Sequence, residues 1–233
     1  MRKMKKFIKS NSFLYNFLIS FRDKLRIIYN QKRRSRFLWN LNKGDSLLSF
    51  DYPLNEKSIF FDIGAHIGNF SSKMYEKFEC NIYAFEPLEE NFKILKQNLN
   101  NYKKIKCYQI ALLNFDGYSN ISSLGASASL FDRNEGSTNK EVIVKSFGTF
   151  IREENLNFID FVKMNIEGSE YDLLNDIIDS GNISKIQHLQ IQFHNFVDDS
   201  EAKRKVIRNK LKKTHKIIYN FPFIWERWDL IKN

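Results

Sequence analysis

The stretch SIFFDIGAHIG, residues 58–68, constrains this chain more than any other. An apolar run, Ile59 to Phe61, ends on an acid, Asp62, and is followed at once by Gly64 and Gly68. A second apolar run, Ile82 to Phe85, ends on another acid, Glu86, and then Pro87. The pattern reads as a strand that delivers the chain into a tight glycine turn opening a helix, with a second strand placing a carboxylate beside the same crevice. Backbone can approach a ligand closely only where side chains are missing, which is what the glycines provide. A carboxylate at the end of the second strand suits a bidentate grip on two ribose hydroxyls. The expectation is a nucleoside site on an open α/β sheet; the plain alternative is an ordinary strand-to-helix turn with no ligand.

The spacing narrows the ligand. Dinucleotide sites usually read G-x-G-x-x-G. Here the run is D-x-G-x-x-x-G, from Asp62 through Gly64 to Gly68. That pattern is similar to the first motif of S-adenosylmethionine-dependent methyltransferases.

Beyond this turn, strands and helices alternate, which implies a mainly parallel sheet covered by helices on both faces. Ser58–Asp62, Asn81–Glu86, Ile105–Ala111, Phe158–Asn165 and Lys185–Phe193 read as strands. Helices are expected over 69–78, from Pro87 to about Asn100, over 149–155, 169–180 and 199–214, the last with Ala202, Val206, Ile207 and Leu211 on its inner face. Residues 112–147 look irregular, apart from a hairpin turn at Asp116-Gly117 and an extra strand over 141–147. Lys216–Asn220 and Phe223–Leu230 read as a closing antiparallel pair joined at Pro222, with Trp225 and Trp228 packed on the sheet.

Charge is unevenly placed. The chain carries a net +10, yet residues 1–43 hold 13 Lys and Arg against one acid, while the remainder holds 24 bases against 26 acids. The body is therefore close to neutral, unlike an enzyme whose cleft must hold nucleic acid. Residues 1–50 are expected to form a basic helical extension and 51–233 the catalytic domain. In the extension, Phe7, Leu14, Leu18, Phe21, Leu25 and Ile28 share one helical face ringed by Lys and Arg. Its apolar run is too short for a membrane span. Two uses suit it: an interfacial helix on anionic lipid, or a cap on the domain or on another subunit. The basic run from Lys32 to Arg36 is either a solvated face or an attractor of anionic acceptors. Cys80 and Cys107 read as small buried residues of a reducing compartment.

Three polar clusters fall at strand ends, where open α/β sheets bind ligands. They are Asp62–Asn69 with Glu86, Lys163–Glu170, and Gln192–Asn195. FDIGAHIGNFS, YAFEPLEENFKILKQN and IDFVKMNIEGSEYDLL occur in this order. Together they resemble the FkbM family of methyltransferases, over about residues 58–195. The resemblance implies a Rossmann-like methyltransferase fold, here a mainly parallel seven-stranded sheet with an antiparallel C-terminal strand. It also implies O-methylation, often of sugars or natural products, with S-adenosylmethionine as cofactor. On this basis Asp62, Gly64 and Gly68 border the methionine part of the cofactor and Glu86 holds its ribose, with Ala65, His66, Asn69 and Pro87 also at the cofactor site. Two residues depart from the family pattern: Asn165 stands where Asp is usual, and His66 where Asn is common.

Methyl transfer to oxygen needs an aligned acceptor and removal of its proton. The catalytic candidates are His194, Glu167, Glu170 and Lys163. Asn165, Glu167 and His194 could alternatively hold a divalent metal (Mg, Mn or Fe) that lowers the pKa of the acceptor hydroxyl. Plainer roles are open for each: Glu167 or Glu170 as first-turn acids at a helix N-terminus, Lys163 as a neutralising charge, His194 as a satisfied core residue. The expected partner is a sugar or glycan acceptor in bacterial surface-polysaccharide synthesis, with no nucleic acid, in the cytoplasm or at the inner face of the membrane. The rival readings are a nucleic-acid methyltransferase, against which the chain has no N/D-P-P-Y/F motif, and a non-catalytic cofactor- or membrane-binding protein.

Overall fold

The computed structural model describes residues 31–44, 52–124, 127–129 and 138–232. The expected amphipathic face of residues 7–28 lies outside the described residues. In chain order the elements are α1 (Gln31–Leu41), β1 (Ile59–Ile63), α2 (Asn69–Phe78), β2 (Asn81–Phe85), α3 (Glu89–Leu99), β3 (Ile105–Tyr108), β4 (Ala111–Leu113), β5 (Gly117–Leu124), β6 (Ser127–Ser129) and β7 (Thr138–Ser146). They continue with α4 (Phe147–Glu153), β8 (Ile159–Met164), α5 (Glu170–Asp179), β9 (Ile186–Ile191), α6 (Ser200–Leu211), β10 (His215–Phe221) and β11 (Trp225–Leu230).

Seven strands form the main sheet in the order β10-β11-β9-β8-β1-β2-β3. Pairing is parallel throughout except at β11, which runs antiparallel to both β9 and β10. From β1 the chain winds toward β3, and from β8 it winds the other way. The order therefore reverses between β1 and β8, and a crevice opens at their carboxyl ends. Strand periodicity sorts the core into two layers. Phe61, Ile63, Tyr83, Phe85, Val162 and Met164 share a cluster with α4, α5 and α6. Phe60, Ile82 and Phe161 pack with Met74 of α2, and Ala84 packs with Leu95 and Leu99 of α3. Almost every residue of β1, β2, β8 and β9 is buried, as expected of parallel strands covered on both faces.

Residues 111–146 correct the sequence-based expectation of an irregular region. They build a second sheet of four strands, β4-β7-β5-β6. Asp116-Gly117 is not a hairpin turn between paired strands, because β7 lies between β4 and β5. Val144 of β7 aligns with Ala111 on one side and Gly117 on the other. The segment instead crosses the end of β7, where the Asp116 carboxylate accepts hydrogen bonds from Ser146 N–H (2.8 Å) and Thr149 Oγ1 (2.9 Å). The third strand is also shorter than expected, ending at Tyr108, so that Ala111 already belongs to the second sheet.

On α6 the inner face differs from the expected one. Ser200, Arg204, Ile207 and Leu211 are buried, while Ala202 is exposed and Val206 is 53% exposed. Arg204 decides the rotation: it pairs with the buried Glu226 and lies over the rings of Phe193 and Phe223. Trp228 is fully buried and donates its indole N–H to Glu226 (3.0 Å); Trp225 is only partly covered. The helix α1 docks on the edge strand β10, with Trp39 in edge contact with Phe221 and Tyr219. Among the described residues no helix is long and apolar enough to cross a membrane. Cys80 and Cys107 are unpaired; burial pushes the Cys80 thiol up to about 11, so it behaves as an inert apolar group.

Candidate active site

The crevice between β1 and β8 is a cleft of about 240 Å³. Its walls are Ile63, Gly64 and His66 after β1, Phe85 to Pro87 with Asn91 after β2, and Asn165 to Glu167 with Ser169 after β8. Its roof is Ile110 to Leu113 and Ile121, supplied by the second sheet. The roof residues escaped sequence reading because β4 is only three residues long and pairs with β7, far along the chain.

Glycine is required at two points of the β1 turn. At Gly64 (φ +79°) an added Cβ would sit 2.1 Å from the carbonyl oxygen of Asn165, so the turns after β1 and β8 touch backbone to backbone. At Gly68 (φ +88°) it would meet Leu95 and Leu99 of α3 at 2.9 Å. The turn is stitched to β2 by Gly64 N–H and Ala65 N–H, which both donate to the Phe85 carbonyl (3.1 and 2.9 Å). Ala65 is buried against α3, and Asn69 is exposed at the start of α2.

Glu86 is buried at the cleft wall. One carboxylate oxygen accepts from His66 N–H (3.0 Å), the other from Leu88 N–H (3.1 Å) and the Asn91 amide (3.4 Å). Those donors orient the carboxylate. Burial outweighs them and lifts its pKa to about 7, against the smaller downward pulls of Leu88, Asn91, His66 and Lys163. His66 therefore acts through its backbone, held at φ +54°.

Asp62 does not reach the cleft. It lies on the α2 side of β1, fully buried, accepting from Lys163 Nζ (2.8 Å) and Ser71 Oγ (2.7 Å). Lys163 also donates to the Gly64 carbonyl (2.8 Å). The pair ties β1, β8, α2 and the glycine turn together underneath the site.

The β8 end is arranged differently. Glu167 (φ +50°) and Gly168 (φ +104°) are both left-handed, a conformation that costs an L-residue about 1–2 kcal/mol. Glu170, fully buried at the start of α5, holds this turn. Its carboxylate accepts from Gly168 N–H (2.8 Å), from His194 N–H (2.6 Å) and from His194 Nδ1 (3.1 Å). Tyr171 Oη donates to the His194 carbonyl (2.7 Å). With Nδ1 facing one carboxylate, Nε2 of His194 points to a second, Glu167 Oε1, at 3.6 Å. Three residues proposed from sequence are thus brought into one row, Glu170–His194–Glu167, of which Glu167 lines the cleft. Glu170, in the first turn of α5, holds the backbone amides of Gly168 and His194, which lie outside the helix.

Two buried polar atoms of the cleft lining, Asn165 Oδ1 and Ser169 Oγ, have no hydrogen-bond partner. In a folded protein such atoms are rarely left so without a ligand or water to serve. Among the described residues no group of three His, Cys, Asp or Glu is placed to hold a metal ion. Asn165, Glu167 and His194 offer one amide oxygen, one carboxylate and one imidazole. That set falls short of the oxygen-rich octahedron that Mg²⁺ or Mn²⁺ usually takes.

A mainly parallel seven-stranded sheet with one reversed strand, opening at its switch point onto a glycine turn and a buried carboxylate, defines the class: an S-adenosylmethionine-dependent methyltransferase. Residues 62–221 match the Methyltransferase FkbM domain, and the chain belongs to that family. A search of curated proteins gave no match. Among solved structures, similarity extends to an rRNA methylase from Streptococcus thermophilus (12% identity, TM-score 0.46, covering 77% of this chain and 90% of that one). It also extends to a fibrillarin pre-rRNA processing protein from Methanococcus jannaschii (13%, 0.46, 78% and 70%). A third is Aeropyrum pernix fibrillarin with natively bound S-adenosylmethionine (8%, 0.45, 76% and 67%).

Proposed function

We propose that this cleft binds S-adenosylmethionine and that the protein transfers its methyl group to a hydroxyl of a sugar or glycan. The observation that carries the reading is the convergence on one cleft of Glu86, the Gly64 turn and Glu167, the last backed by His194 and Glu170. When bound, the cofactor supplies a methyl on a sulfonium, already a good leaving group. What remains for the protein is to orient the acceptor and take its proton. Glu86 presents an acceptor to both ribose hydroxyls. Glu167, at the cleft wall, would take the proton of an acceptor hydroxyl held in the cleft. His194, its Nδ1–H donating to Glu170, turns the lone pair of Nε2 toward Glu167, where it can accept the proton that Glu167 takes up. The orphaned Asn165 oxygen accepts a donor from the bound ligands. The sugar class rests on the resemblance of the three motifs to FkbM methyltransferases, and a base aimed at the cleft supports transfer to oxygen.

Calorimetric titration with S-adenosylmethionine, after chelator treatment, tests the reading. Micromolar binding is expected, without dependence on added Mg²⁺ or Mn²⁺. Glu86→Ala should weaken it about a hundredfold, since two hydrogen bonds to a charged acceptor are lost. Wild-type affinity in that variant would remove Glu86 from the ribose role.

A further inference from the structure

Two helices outside the cleft present a surface that methyl transfer does not explain. Helix α1, QKRRSRFLWNL, contains no acid. Ser35 and Trp39 face the protein. The opposite side exposes Phe37 (51%), Leu41 (69%) and Leu38, with Arg34 and Arg36 exposed beside them. A helix that turns Phe and Leu to solvent while ringing them with Arg has the pattern of one that lies in a bilayer interface. The first turn of α1 borders a groove lined also by Lys205 and Arg208 of α6, by Lys212 just after it, and by one acid, Glu201. Lys205 and Lys212 are exposed in that groove, and Lys203, Lys213 and Val206 are exposed elsewhere on or just after α6. Glu201 is the one acid within α6.

We infer that the outer face of α1, with the adjoining lysines of α6, docks the protein on an anionic lipid surface. Charge complementarity selects the occupant. The basic groups match a negative headgroup layer, and the aliphatic Leu38 and Leu41 have no use against a nucleic-acid backbone but insert among acyl chains. The surface also adjoins the reacting end of the molecule: Lys32 of α1 donates to the Asn195 side chain (3.3 Å), next in sequence to His194. Docking would therefore set the carboxyl edge of the sheet close to the membrane. The inference does not depend on the acceptor proposed above.

The test is cosedimentation of the full chain with vesicles of phosphatidylcholine alone, or of phosphatidylcholine with phosphatidylglycerol. Binding is expected only to the anionic vesicles, and it should weaken as salt rises. Arg34→Glu with Arg36→Glu should weaken it by about fivefold or more per charge removed. Phe37→Glu with Leu41→Glu should abolish it. Calorimetric binding of S-adenosylmethionine by both variants reports that they remain folded. Equal binding to neutral vesicles would overturn the proposal, as would unchanged binding by the two variants. A wild-type dimer that the Phe37/Leu41 variant turns into a monomer would give the face to a second copy of the chain instead.

Discussion

Asp62 and Lys163 sit side by side on β1 and β8 and are closed off: both carboxylate oxygens are taken, and the ammonium bridges a carboxylate and a carbonyl. Just beyond the end of β8, the next polar group is built the opposite way. Asn165 and Ser169 have buried atoms without partners, Glu167 is held left-handed, and His194 stands between two carboxylates. The first cluster uses charge to lock two strands and a turn together. The second leaves hydrogen-bonding capacity unspent at the cleft. Folds concentrate strain and unsatisfied groups where they work, and complete them where they only hold.

The largest expected effect breaks the closed cluster. Lys163→Ala leaves the buried Asp62 without its counter-charge and with only the Ser71 hydroxyl as partner, which should cost about 3–5 kcal/mol in denaturant unfolding. A loss below about 1 kcal/mol would mean that water reaches Asp62 and that the lock is not one.

In the open cluster the effect should appear in rate. His194→Ala is expected to lower turnover by about a hundredfold or more, with cofactor affinity little changed. Wild-type turnover would take the Glu170–His194–Glu167 row out of the mechanism.

Glu86 belongs to neither pattern, being fully bonded yet raised to about 7. Its ionised form is the better partner for ribose hydroxyls, so cofactor affinity should fall toward tenfold per pH unit below about 7. The stability sign is the reverse. Between about 4.5 and about 7 the native protein holds a proton that the unfolded chain has lost. Stability from this group is therefore full below about 4.5 and disappears as pH rises through about 7. The difference in unfolding free energy between wild type and Glu86→Gln, followed across that window, should decline with pH; a flat difference would refute the raised pKa.

The smallest effect sharpens the contrast. Asn165→Ala removes an oxygen that bonds nothing in the free protein. Stability should change by less than about 0.5 kcal/mol, while ligand affinity drops about two- to tenfold. A large loss of stability would show that the amide already serves the fold.

Much of this was legible in the sequence wherever the determinant is local. The run into Asp62, the two glycines and Glu86 announce a strand, a turn and a second strand, because period-two burial and left-handed turns are written in neighbouring residues. The pair β10–β11 was equally plain around Pro222. The second sheet was not, since β4 has three residues and pairs in parallel with β7 some thirty positions away. On α6, Ala202 with Val206 and Ile207 with Leu211 offered two apolar stripes, and only the Arg204–Glu226 pairing chose between them. Likewise the sequence placed Asp62 at the ligand, but strand alternation turns it toward α2 and Lys163.

The placing of β7 between β4 and β5 has a consequence for how such a protein can change. β5 pairs with β7 near Gly117 and Val144, beside the strand that roofs the cleft, and with β6 from Ser122 to Leu124, at the edge of the second sheet. Chain length is most freely gained or lost at a hairpin's tip. Residues inserted between β5 and β6 would lengthen that edge and leave the sequence of the Gly64 turn and Glu86 untouched. The edge of the second sheet and the turn after β1 thus lie on separable stretches of one chain, and the first can drift while the second stays fixed.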